Sequence, residues 1–278
     1  MSETQAARLP DGRLHLQHGP IDLICQAWGH DRDVSSGEAR AVARFQTVLT
    51  ELVGELPLLR SEHGAVQGII AQRMAAAVAP FRPVFITPMA AVAGAVAEEV
   101  LKALVGPGIT RAYVNNGGDI ALHLAPGQSL SCAIAAAGVG PVRISHEMPM
   151  RGIATSGWRG RSWSFGIADA VTVFARTAAM ADAAATMIAN AVDLPDHPAI
   201  TRRPACHLQS DSDLGTRLVT TAVASLAPAD ARQAIARGLD VAEKFRARGL
   251  IEGAAIFLQA ETEATGELAV EQRKGAHG

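Results

Sequence analysis

Cysteine is scarce. Cys25, Cys132 and Cys206 are the only three in 278 residues. They are odd in number and far apart, and no CxxC pair joins two of them, so the sequence encodes neither a paired-cysteine zinc site nor a dithiol redox centre. That usage fits a reducing compartment, and the expectation is a cytoplasmic protein. An excess of one charge is lacking too. The net charge is −2, and the basic runs at Arg202-Arg203 and Arg246 to Arg248 are too short to make a nucleic-acid footprint. Long apolar runs are also missing. The longest apolar-biased stretch, "PVFITPMAAVAGAVA", is shorter than the ~20 residues a membrane span needs and contains prolines. The opening stretch, "MSETQAARLPDGRLHL", has no apolar core of the signal-peptide kind. The expectation is a protein with neither a nucleic-acid nor a membrane partner.

Several catalytic signatures are absent as well. There is no HExxH, and His30, His63, His123, His146, His197 and His207 form no close ligand pair, which argues against zinc. No G-x-S-x-G elbow anchors a serine triad. No Gly-Lys-Ser/Thr ending marks a Walker loop, and no G-x-G-x-x-G opens a βαβ unit.

What the sequence does have is small and apolar residues. Hydrophobic residues make up 49%, charged residues 19% and aromatics 4%. A chain of this length and composition buries a full core and is not disordered. Residues 13–27 read as a hairpin, with Leu14 and Leu16 alternating with polar residues before a Gly19-Pro20 turn. Ser36 caps a helix whose apolar face is Ala39, Val42, Phe45, Leu49 and Leu52, and Pro57 ends it. Helical character is expected at 63–81 and 90–104, with a short strand or turn at 83–88 between them. "TRAYVNNGGDIALHL" reads as strand, glycine turn, strand. Strands are expected at 130–137, 142–145, 151–155 and, as "SWSFG" and "AVTVFA", within 162–175. A helix at 178–191 follows, then a proline-rich loop from 193 to 215. A strand at 217–223, an amphipathic helix at 229–248 and a strand at 253–260 complete the series. Strands and helices do not alternate regularly, so the expected class is α+β with mixed helices and antiparallel sheets. The expected organisation is a flexible 1–12, one domain over 13–260 with room for two subdomains, and a loose tail over 261–278.

Three segments carry candidate chemistry. Asn115, Asn116, Gly117, Gly118 and Asp119 lie between two apolar strands. Paired glycines open backbone conformations closed to other residues and expose amides to a ligand. The same letters also spell an ordinary hairpin turn. Asp182 and Thr186 stand at i and i+4, neighbours on one helical face. A carboxylate and a hydroxyl so placed suit Mg²⁺, which takes hard oxygen ligands and keeps waters; a solvated polar stripe is the plainer alternative. Thr155, Ser156 and Gly157 end a strand and offer hydroxyls and amides to a phosphate, with Arg159 and Arg161 close behind; an ordinary hairpin loop is the plainer alternative.

Taken together and in order, "AAVAGAVAEEVLKALVGPGITRAYVNNGGDIALHL", "GIATSG" and "AVTVFARTAAMADAAATMIAN" resemble the ApbE superfamily of FAD:protein FMN transferases, and in particular its uncharacterised UPF0280 branch. The resemblance implies a T-fold-like α+β architecture and a flavin nucleotide such as FAD as ligand, with Mg²⁺. It implies that Asp182 and Thr186 are metal ligands, that the turn from Asn115 to Asp119 lines the nucleotide pocket, and that Thr155, Ser156 and Gly157 match the family's Thr-Ser-Gly strand end. Two departures bear on activity. Ala93 stands where the transferases carry a lysine, and "SWSFGIADAVTVFA" lacks their Asp-Pro-Arg-Thr-Gly loop. Three readings therefore stand: an Mg²⁺-dependent nucleotide-handling transferase, a flavin- or pterin-binding protein without turnover, and a homo-oligomer with a vestigial pocket.

Overall fold

Leu14, Leu16, Ile21, Leu23 and Cys25 alternate with polar residues, and this period of two sets the first strands. The computed structural model describes residues 3–133 and 141–266. Two compact units divide the chain: Met1–Ser131 with Arg143–Ala154 and Ala175–Asp182, and Cys132–Val142 with Thr155–Phe174 and Ala183–Gly278.

In the first unit, strands β1 (Gln5–Arg8), β2 (Leu14–His18) and β3 (Ile21–Gly29) form an antiparallel meander. The expectation of a flexible 1–12 is corrected here, because Gln5–Arg8 pairs residue for residue with β2. Helix α1 (Asp31–Gly54) starts before the expected Ser36, with His30 at its N-cap and Asp31 and Asp33 in the first turn, where carboxylates favour the positive helix end. Its buried stripe is Gly37, Ala41, Phe45, Val48 and Leu52. The expected face is thus rotated, and Ala39 is exposed. Gly37 explains the rotation: a Cβ there would sit 2.4 Å from the Leu104 carbonyl oxygen, so only glycine allows the helices this contact.

A single turn, α2 (Leu56–Leu59), carries Pro57 near its start, so the proline opens a turn where it was expected to close a helix. Helix α3 (Ile69–Val78) begins later than expected. The Glu55 carboxylate takes the amides of Gln67 and Gly68 at 2.6 Å each, holding them outside the helix. Residues 83–88 form no strand and lead through a 3-10 turn, Pro88–Ala91, into α4 (Val92–Leu104). Arg44 of α1 donates to Glu99 Oε1 at 2.8 Å and Arg73 of α3 to Glu99 Oε2 at 3.0 Å. These bonds from both arginines hold the Glu99 carboxyl below its ordinary value although burial works the other way.

Strands β4 (Ile109–Asn116) and β5 (Asp119–Leu124) extend the meander from β3 as an antiparallel hairpin. β6 (Ser129–Cys132) and β7 (Val142–Ser145) make a separate ribbon. Of the strand expected at 130–137, residues 134–137 lie outside the described residues. β8 (Gly152–Ser156) sets Ile153 opposite Ile120 of β5.

The second unit contains β9 (Ala170–Ala175) up to Phe174 and the larger part of α5 (Ala178–Ala191). β10 (Ile200–Pro204), α6 (Ala205–Leu208), β11 (Leu218–Val223), α7 (Pro228–Ala247), β12 (Gly253–Leu258) and β13 (Glu261–Gly266) follow. β9, β12 and β13 pair antiparallel in that order, and α7 packs on β12 and β13. Every residue of β12 is buried. Three expectations are corrected here. "SWSFG" is not a strand: the Phe165 amide donates to Asn190 Oδ1 at 2.9 Å and not to a neighbouring strand, and the Ser164 hydroxyl donates to the same oxygen at 3.1 Å. The loop from 193 to 215 contains β10, antiparallel to β11. The tail expected to be loose from 261 forms β13 as far as Gly266.

Candidate functional site

The β4–β5 hairpin turns on two glycines, Gly117 at φ +65° and Gly118 at φ +115°. Only glycine adopts both without strain, so the pair fixes a two-residue turn. The Gly118 amide donates to Asn115 Oδ1 at 2.8 Å, closing the turn with a side chain. Asn116 and Asp119 flank it, and both are buried, at 5% and 9% exposure. Burial of an amide and a carboxylate at a turn calls for polar partners. Asn116 finds one in the Ala93 carbonyl, to which its Nδ2 donates at 3.1 Å.

Ala93 belongs to the first turn of α4, whose own N-cap, Ala91, has no capping side chain. The cap comes from elsewhere in the chain. The Gly94 amide donates to Asp182 Oδ2 at 3.0 Å, and the Ala93 amide adds a second bond. A carboxylate there meets the positive end of the helix dipole. The capping is reciprocal. Glu98, one turn further along α4, accepts the Ala179 amide at 2.7 Å at the start of α5. Gly94 makes the approach close enough, since a Cβ on it would lie 2.2 Å from the Ala178 carbonyl oxygen. The acid in an alanine-rich helix therefore has a structural role, which is to cap the neighbouring helix.

Capping does not use up the charge. Burial, and then the negative charge of Asp119, push the Asp182 carboxyl well above its ordinary value, against the pull of the Gly94 and Ala93 amides. Two carboxylates that repel each other beside an exposed glycine turn favour a cation. Among the described residues, no group of three or more His, Cys, Asp or Glu side chains is placed to hold a metal.

Of the residues singled out in the sequence, the structure brings together Asn116, Asp119 and Asp182 around the N-terminus of α4, with Asn115, Gly117 and Gly118 shaping the turn. Thr186 lies one turn beyond Asp182 on α5, partly buried. Thr155, Ser156 and Gly157 belong to the second unit. There the Thr155 hydroxyl bonds Thr172 at 2.9 Å. Gly157 is buried against the Asp169 carbonyl, 2.5 Å from where its Cβ would be. Arg159 stacks on Trp158 and pairs with Asp169, whose other oxygen takes the Gln259 amide. Asp169 is thus a structural hub of that unit. Burial pushes the Cys25 thiol up to about 12 and the Cys132 thiol up to about 11, so neither is a thiolate near neutrality. Sequence reading missed Glu98 and Gly94. The signal for both was a glycine inside a helical pattern, which points to close packing.

Residues 6–269 match a family model described as AbpE bacteria. The chain belongs to this family. Among curated relatives, a UPF0280 protein of Methanothrix thermoacetophila is 45% identical over 111 residues, which is 38% of this chain and 46% of the relative. UPF0280 protein MK0206 of Methanopyrus kandleri is 36% identical over 179 residues, 60% of this chain and 70% of the relative. The matched part spans about half the length of relatives such as the first. The ApbE-like resemblance, in its UPF0280 branch, holds. Among solved structures, the apo flavinyl transferase ApbE of Pseudomonas stutzeri has a TM-score of 0.37 at 16% identity, covering 89% of this chain and 76% of its own. The flavin transferase ApbE of Vibrio cholerae has a TM-score of 0.38 at 12% identity, covering 96% of this chain and 97% of its own.

Proposed function

We propose that this family member binds a flavin nucleotide, or a related nucleotide, through Mg²⁺ held at Asp182 and Asp119, with the Asn115–Asp119 turn against the ligand. The observation that carries the reading is the pairing of two buried carboxyls, Asp119 and Asp182, beside the glycine turn: burial first, and then the charge of Asp119, raises the Asp182 carboxyl. A divalent cation relieves that repulsion and would attach a pyrophosphate to the site, since Mg²⁺ commonly joins one or two carboxylates to ligand phosphates. When bound, it supplies charge neutralisation for a transferring phosphoryl group. Gly117 and Gly118 leave the turn bare for a ligand, and Asn116 and the cap on α4 keep the carboxylates in place. The flavin part rests on the ordered motifs and on family membership.

Ala93 favours a second reading, binding without transfer. Its methyl group offers no cation where the transferases carry a lysine, and transition-state stabilisation needs placed charges, not only a cleft. Thr155, Ser156 and Gly157 are proposed phosphate contacts from their sequence alone, and neither reading depends on them. Calorimetric titration with FAD, FMN, ADP and a pterin, in Mg²⁺ and in EDTA, tests the site. Mg²⁺-dependent binding that is lost in Asp182→Asn is expected. Nucleotide binding that ignores both the metal and the substitution would overturn it. Product formed from FAD would select the transferase reading, and binding with no product the second.

A further inference from the structure

A second concavity lies in the first unit, on the far stretch of α4. It encloses about 360 Å³, within the usual range for small-molecule sites. Its walls come from α3, α4, β5, the segment before β8 and the residues leading into α5. Four of the lining residues are cationic, Arg73, Lys102, Arg151 and Arg176, and Glu98 is the only acid among them. Lys102 is eight residues along the helix from Gly94, and His123 four residues along the strand from Asp119. Those offsets are about 12 Å and about 13 Å, so this end of the cleft stands apart from the acidic site, while Glu98 and Ala121 line its nearer side.

We propose that the cleft is a binding site for a small phosphate-class oxyanion, held by Lys102, Arg151 and Arg176.

The charge balance supports an anion. Glu98 is committed elsewhere: it accepts the Ala179 amide and pairs with Arg73 at 3.2 Å. Burial raises its carboxyl above the ordinary value, which weakens it as a counter-ion. Arg73 is further neutralised by Glu99. Arg151 feels the charge of Glu147, an exposed side chain outside the cleft lining. Its guanidinium donates instead to the carbonyls of His146, Met148 and Met150 at 2.6–2.7 Å, which fix it in place. A fixed, half-buried cation is ready to receive an oxyanion at little further ordering cost. Burial lowers the proton affinity of His123 against a backbone hydrogen bond at Ile109, and the charges of Arg151 and His146 add to the fall. No Phe, Tyr or Trp side chain among the described residues lines the cleft to stack on a base or a flavin ring; its apolar wall is Leu101, Val105, Ala121 and Leu122. The chemistry fits a compact phosphate or pyrophosphate, free or as the phosphorylated end of a small aliphatic metabolite.

The test is calorimetry on the whole chain in EDTA, titrated with phosphate, pyrophosphate, citrate and FAD. Saturable binding of phosphate or pyrophosphate is expected. It should weaken about tenfold or more in Lys102→Glu and in Arg176→Glu, both exposed positions whose reversal leaves the core alone. Affinity should fall with added salt. Asp182→Asn should bind the oxyanion as the natural chain does, which separates this site from the nucleotide reading: either can fail while the other stands. No saturable heat up to about 10 mM oxyanion would overturn the proposal, a concentration at which even a millimolar site would be filled. Unchanged affinity in both reversal variants, tighter binding of citrate than of pyrophosphate, or loss of binding in Asp182→Asn would each overturn it as well.

Discussion

Asp182→Ala and Asp182→Asn separate the two things this side chain does. Alanine removes the acceptor of the Gly94 and Ala93 amides and leaves the first turn of α4 uncapped, while asparagine keeps an acceptor and removes the charge. Asp182→Ala should therefore be less stable than Asp182→Asn by about 1 kcal/mol in urea unfolding. Equal midpoints for the two variants would remove the capping role. Glu98 gives the matching pH experiment. Its folded-state proton affinity is raised above the ordinary 4.5, chiefly by burial. The native state therefore holds the proton longer than the unfolded chain. The stability this contributes is complete below 4.5 and is lost as pH rises through the folded value. Glu98→Gln keeps an acceptor for the Ala179 amide but has no proton to lose. The variant should show a smaller fall in urea midpoint from acid toward neutrality than the natural chain. An unchanged profile would place the shift elsewhere. At this scale the sequence exposed the i, i+4 pair Asp182 and Thr186, because helical spacing is local information. It could not expose the Gly94 amide as the partner of Asp182, because 88 positions separate the two and only folding joins them.

At the scale of elements, the N-terminal turns of α4 and α5 stand together because Gly94 lacks a side chain. Gly94→Ala would drive a methyl carbon into the Ala178 carbonyl, a backbone atom that cannot rotate away. Thermal and urea unfolding should show a loss of about 1–3 kcal/mol. Wild-type stability would mean that the helices slide apart at no cost. Gly118→Ala tests the hairpin differently. Nothing lies within 4 Å of its Cβ position, so only the positive φ opposes the change, and a loss of about 1 kcal/mol is expected. The same contrast explains which elements could be read in advance. The β2–β3 and β4–β5 hairpins were legible because alternation and turn glycines are written in adjacent letters. α1 was found, but its face was misplaced. Ala39 and Ala41 are the same letter, and the contact of Gly37 with Leu104 decides which of them faces inward. β10 reads as loop because "ITRRP" is polar and ends in proline, and it becomes a strand only by pairing with β11. "SWSFG" errs in the other direction: it alternates like a strand, yet its Phe165 amide is taken by the Asn190 side chain and its Gly166 amide by the Ser164 hydroxyl.

For the molecule as a whole, the net charge of −2 hides a local opposition within the first unit. Asp119 and Asp182 gather negative charge at the start of α4, and Lys102, Arg151 and Arg176 gather positive charge in the cleft beside it. Average composition could not show this, because the two patches cancel in the sum. Ligands of opposite sign should therefore stabilise the chain independently. A ligand that binds only the folded state adds RT ln(1 + [L]/Kd), about 2.7 kcal/mol at a hundredfold excess over Kd. Roughly 2–4 °C per kcal/mol for a chain of this size class makes each effect several degrees in a melting experiment. Mg²⁺ should raise the melting temperature of the natural chain and not of Asp182→Asn. Pyrophosphate in EDTA should raise that of both, and not of Lys102→Glu. The two ions cannot be mixed without chelation, so independence is read by crossing the variants: each substitution should abolish one shift and leave the other at full size. A substitution that abolished both would mean that the two patches act as one site, with charge of each sign serving a single ligand.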